Sequence, residues 1–97
     1  MAEIKLKKPV ESEGGEISTL KLREPVAEDI IACGYPFRMY IGSATEADSA
    51  NQQEMKIDIV ALSKLASRLA NVPLSTIKRL SIADFQKVVD VMVDFFG

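Results

Sequence analysis

The sequence has no histidine, no tryptophan and a single cysteine. Without imidazole, the commonest general acid–base group is missing, and so is every triad or zinc site that depends on it. Cys33 has no second thiol to pair with, which suits a reducing compartment, and its neighbours Ile30, Ile31 and Ala32 mark it as a small buried hydrophobe. No apolar run approaches the ~18–20 residues that span a bilayer, and the stretch from Met1 to Lys8 lacks the apolar core of a signal peptide. An excess of charge of either sign is also missing: 12 basic and 14 acidic side chains leave a net charge of −2. By segment the basic and acidic counts are 5 and 5 over residues 1–24, 2 and 5 over 25–56, and 5 and 4 over 57–97. That balance supplies neither a basic face for nucleic-acid phosphates nor an acidic tail. The expectation is a soluble, cytoplasmic protein that is not an enzyme, with no cofactor, no metal, no nucleic acid and no membrane among its partners.

What the sequence does have is apolar surface. Hydrophobic residues make up 47% of 97 positions, generous for a chain whose length fits one domain, residues 1–97. A chain this short buries only roughly 60–65% of the surface it exposes when unfolded.

Ile4 and Leu6 alternate with Lys5 and Lys7, and Ile17, Leu20 and Leu22 follow a polar Gly14-Gly15 turn. Residues 1–24 therefore read as a β-hairpin, with Pro9 at an edge or strand end and a connection longer than the two-residue minimum. Pro25 at a first helical position, Glu28 and Asp29 in the first turn and Gly34 as the stop predict a short helix over 25–34. Residues 35–54 read as irregular. They open with Tyr35-Pro36-Phe37-Arg38-Met39-Tyr40-Ile41, which holds three of the six aromatics.

From about Met55 the pattern turns helical. Ile59, Leu62, Leu65, Ala66 and Leu69 form one stripe, with a stop near Asn71 ahead of Pro73. A short helical turn follows over Leu74–Leu80, and Ser81 with Asp84 reads as a capping-box variant. In the last helix Phe85, Val88, Val89, Met92, Val93 and Phe96 make the inward stripe, and Val91 and Phe95 widen the apolar arc to about 200°. The fold class is thus α+β: an N-terminal β-hairpin followed by three to four helices, with the C-terminal half, 55–97, mainly helical.

Chemistry finds little to use here. Asp90 and Asp94 stand four apart on the last helix, where a solvated face explains them better than a shared cation. Asp48-Ser49 has the form of a carrier-protein prosthetic site but lacks the bulky apolar residue that should follow the serine. The helix pair Ile59–Leu69 and Leu74–Leu80 offers only Lys78 and Arg79 to a nucleic acid. The surplus apolar residues remain: Tyr35, Phe37, Met39, Tyr40, Val91 and Phe95. They either bury one another or form a protein-binding surface.

Two blocks of residues resemble a known family. The first is Ile17-x-x-Leu20-x-Leu22-Arg23-Glu24-Pro25 followed by Asp29. The second runs from Leu65 through Leu69-Ala70-Asn71-Val72-Pro73, Ile77, Leu80, Asp84-Phe85, Val88-Val89 and Val93 to Phe96. Their joint order is similar to the small tail assembly chaperones of Mu-like and related contractile-tailed bacteriophages. Asn71 stands where relatives often carry a glycine, and Tyr35 to Gln53 matches nothing in the family's pattern. The resemblance implies a non-catalytic protein that binds the tape-measure protein, assists assembly of tail-tube subunits and is absent from the mature virion. It also implies a short product whose gene in many phages also yields a frameshifted, longer one, while the surplus apolar surface by itself points equally to self-association. The alternative is a small oligomeric adaptor or regulatory protein of an unrelated pathway.

Overall fold

The alternation around Ile4 and Leu20 becomes the predicted hairpin. A computed structural model describes residues 2–41 and 53–96, the side chains of 38–41 and 53–55 apart. Strand β1 (Ala2–Ser12) pairs antiparallel with β2 (Gly15–Leu22), from Ala2↔Leu22 to Ser12↔Gly15. Only Glu13 and Gly14 remain to turn, so the connection is the two-residue one and not the longer loop expected. Gly15, at φ 112°, supplies the conformation that lets the chain double back so tightly. β1 also continues past Pro9. Between Lys5 and Val10 the register shifts, leaving Leu6 to Pro9 against Ser18 alone. Proline, having no N–H to give a ladder, is tolerated in such a bulge.

Helix α1 (Ala27–Cys33) starts two residues after Pro25, with extended Val26 as its N-cap. Gly34 ends it at φ 90° and ψ 163°, its N–H donating to the Ile30 carbonyl at 2.7 Å. The segment expected to be irregular carries strands at both ends. β3 (Phe37–Ile41) and β4 (Gln53–Ile57) pair antiparallel, Phe37↔Ile57 through Ile41↔Gln53. Strand formation here is set by a partner some sixteen positions away in register and not by local periodicity, so the sequence window carries no signal of it. Asp48-Ser49 lies outside the described residues.

Because β4 occupies Gln53–Ile57, helix α2 spans Ile59–Ala70 and does not begin near Met55. Asp58 caps it, Oδ1 accepting from the Ala61 N–H at 3.0 Å. Asn71 closes it in the left-handed region, φ 55° and ψ 46°, the role a glycine often takes. Extended Pro73 leads into α3 (Leu74–Lys78), and α4 covers Ile82–Phe96.

The apolar face of the first hairpin packs on the helices. β2 lies along α2, β1 along α3 and α4, and α1 lies on α2. Leu20, Leu22, Leu62, Leu65, Ala66, Val88 and Met92 are closed to solvent in one cluster, which realises the α2 stripe except for Ile59, left half-exposed at its head. The fold is α+β as expected, with four helices behind the N-terminal hairpin.

Candidate functional site

Two carboxylates form the polar framework. Asp29, 1% exposed, is gripped bidentately by Arg23, with Nη1 to Oδ2 and Nη2 to Oδ1 both at 2.8 Å. Arg68 of α2 adds an Nε bond to Oδ1 at 2.6 Å, and the Val26 N–H donates to Oδ2 at 2.8 Å. The last contact is the returning half of a capping box. Chiefly through the Arg23 fork, then the Val26 amide and Arg68, the Asp29 carboxyl is held well below the usual carboxylate range despite burial. Both guanidinium groups are pushed up in turn by Asp29. The network joins the end of β2, α1 and α2.

Asp84 does the same for β1 and α4. The start of the expected capping box forms, the Asp84 N–H donating to Ser81 Oγ at 3.2 Å. Its carboxylate faces β1, where Oδ1 accepts the Lys7 N–H at 2.9 Å and Oδ2 the Lys8 N–H at 3.1 Å. These amides are freed by the bulge, so the irregular strand and the buried acid are parts of one device. The Lys7 amide is the main cause of the lowered Asp84 pKa, with Lys8, Ser81 and the Lys87 charge adding to it against burial. Lys87 Nζ lies 3.6 Å from Oδ1 and donates to the Lys5 carbonyl at 3.0 Å. No buried side-chain polar atom lacks a partner among the described residues. Ionised and saturated with donors, both acids are suited to holding elements in place and not to moving protons.

Of the six surplus apolar residues, Tyr35, Phe37, Val91 and Phe95 have described side chains. Tyr35 is about half exposed, while Phe37 is buried; the two rings meet Phe96 at centroid distances of 5.1 and 5.7 Å. The side chains of Met39 and Tyr40 lie outside the described residues. Val91 and Phe95 are half-buried against the core, and Phe95 lines a narrow cleft with Glu24, Pro25 and Asp94.

Two other apolar side chains of α4 are exposed, Ile82 at its start, 89%, and Val93 near its end, 38%. At ~100° per residue Val89 falls within roughly 20° of Ile82 and yet is buried, as are Asp84, Val88 and Met92, so the exposure is confined to the two ends of the helix and is not a continuous stripe. Asp84, which the sequence presents only as a capping residue, sets the rotation of the helix by drawing its own face onto β1. Ile82 is the residue that sequence reasoning misses. With Ser63, Ile77, Lys78, Leu80 and Phe85 it lines a groove of about 300 Å³ between α2, α3 and the start of α4. Val60 and Ile31 are further exposed apolar side chains, on α2 and α1.

Among the described residues no group of three or more Cys, His, Asp or Glu is placed to hold a metal, and no helix is long and apolar enough to cross a membrane. The described residues thus define an α+β module in which two buried carboxylates tie strands to helices and some apolar helix side chains stay exposed. Comparison with known families narrows that class: the chain belongs to the phage tail assembly chaperone proteins, the family described as E, or 41 or 14, whose model matches residues 3–97. Neither a curated protein nor a solved structure matches it.

Proposed function

We propose that this chain binds the tape-measure protein of a phage or prophage tail, keeps it soluble and assists the assembly of tail-tube subunits around it. It acts without catalysis, in the host cytoplasm, and leaves before the virion is complete. The observation that carries this reading is the family match over residues 3–97. The open apolar side chains support it: a small body that leaves Ile31, Val60 and Ile82 in water has surface to offer an apolar partner. Among the aromatic candidates with described side chains, Tyr35 is the one left about half exposed, and self-association belongs to the same reading.

Co-expression with a phage tape-measure protein tests it. The chaperone should move that protein from the pellet to the soluble fraction and co-purify with it. No rescue at a stoichiometric excess of chaperone would remove the reading.

A further inference from the structure

The groove beside Ile82 has a chemistry of its own. Its walls are Ile77, Leu80, Ile82 and Phe85, with Ser63 across and Lys78 on the rim. Lys64 follows Ser63 on α2, and Arg79 follows Lys78. None of these three cations has an ion-pair partner among the described residues, whereas Arg23, Arg68 and Lys87 all do. The far side of α4 differs in sign: Gln86 and Asp90 bond each other there at 3.2 Å. An apolar trough thus carries one unpaired positive charge, Lys78, on its α3 rim.

We propose that this groove docks an amphipathic helix whose apolar stripe is flanked by carboxylates on one side. The stripe lies over Leu80, Ile82 and Phe85, and the carboxylates reach Lys78 on the rim. This is the helix-in-groove mode, in which apolar anchors at i, i+3/i+4 and i+7 give affinity and flanking charge fixes direction. A second copy of this chain fits less well. A two-fold interface puts the same patch on both sides, so the unpaired cations would face one another. The proposal rests on the chaperone reading for the source of the helix, a tail protein, but the groove's preference for a carboxylate-flanked helix stands by itself.

The probes are two synthetic helical peptides with the same leucine stripe, one flanked by Glu and one by Lys, titrated into the full chain by fluorescence anisotropy. The Glu peptide should bind at least about tenfold more tightly. Ile82→Asp should weaken it by about tenfold or more, because a central apolar anchor is lost, and Lys78→Glu should move the preference toward the Lys peptide. Ile82 is almost fully exposed, so its replacement leaves the fold intact, which a thermal melt verifies. Lys21→Glu, exposed on β2 and outside the groove lining, is the control and should leave both peptide affinities unchanged. Equal affinity for both peptides, or full affinity in Ile82→Asp, overturns the proposal. So does sedimentation in which Ile82→Asp splits a dimer while neither peptide binds, because the groove is then a self-interface. Co-expression separates this idea from the functional one. If Ile82→Asp rescues the tail protein as well as the wild type does, the groove proposal falls and the chaperone reading stands. If peptides bind as expected but the wild type rescues nothing, only the chaperone reading falls.

Discussion

Replacing Gly34 by alanine isolates one physical quantity, the backbone conformation that ends α1. A Cβ added there would meet nothing closer than the Ala61 Cβ at 4.0 Å, an ordinary contact, so crowding is not the issue. The torsions are. At φ 90° and ψ 163° the residue sits in a region open essentially to glycine alone, which costs an L-residue about 1–3 kcal/mol. Alanine also narrows the unfolded ensemble, returning about 0.4–1 kcal/mol. The net loss is about 1–2 kcal/mol, and a domain of this size then melts about 5–15 °C lower. Urea titration followed by circular dichroism measures it, with Gly14→Ala as the control. Gly14 has open space around it and no positive φ, so its variant should stay within about 0.5 kcal/mol of wild type. Semisynthetic D-alanine at position 34 should recover the loss, since it accepts positive φ. A Gly34→Ala protein as stable as wild type, or a D-alanine form no better than the L form, would refute the reasoning.

Acid sensitivity follows from the two buried carboxylates. Both pKa values lie below the ordinary 3.8, so the unfolded chain takes up protons that the native one refuses. Their contribution is complete above about pH 5 and is lost as pH falls through and below the usual carboxylate range. Asp29→Asn should therefore flatten the acid limb of a stability–pH curve, and an unchanged slope contradicts the assignment. Asp84→Asn should raise hydrogen exchange at the Lys7 and Lys8 amides by about tenfold or more while β2 amides hold; equal exchange would mean that the carboxylate does not clamp the bulge.

What the sequence discloses and what it hides divide along the length scale of the interaction. Pro25, Gly34, Asn71 and Pro73 act within a turn or two of themselves, and the helix ends they imply are within a few residues of the observed ones. The Leu62–Leu69 stripe is likewise a local periodicity, and the structure buries it as read. Leu22-Arg23-Glu24-Pro25 and Asp29 are visible as a pattern, but their reason is not, because the third partner, Arg68, lies 39 residues along the chain. β3 and β4 depend on each other across the chain and have no local signature. Asp84 is legible as a capping residue, and the cap forms, but its second duty is hidden because the strand amide it accepts from lies 77 residues away.

The Asp84 clamp also sets an order of events during synthesis. The hairpin it secures leaves the ribosome well before α4, and the carboxylate follows Lys7 by 77 residues. A lone two-stranded hairpin is marginal in water, so until α2 and α3 are made β1 and β2 have only each other. Closing the loop costs only about 0.6 kcal/mol more than closing one half as long, so the delay is one of timing and not of energy. The bulge at Lys7 and Lys8 is the last part of the hairpin to gain its anchor, because that anchor is carried by α4.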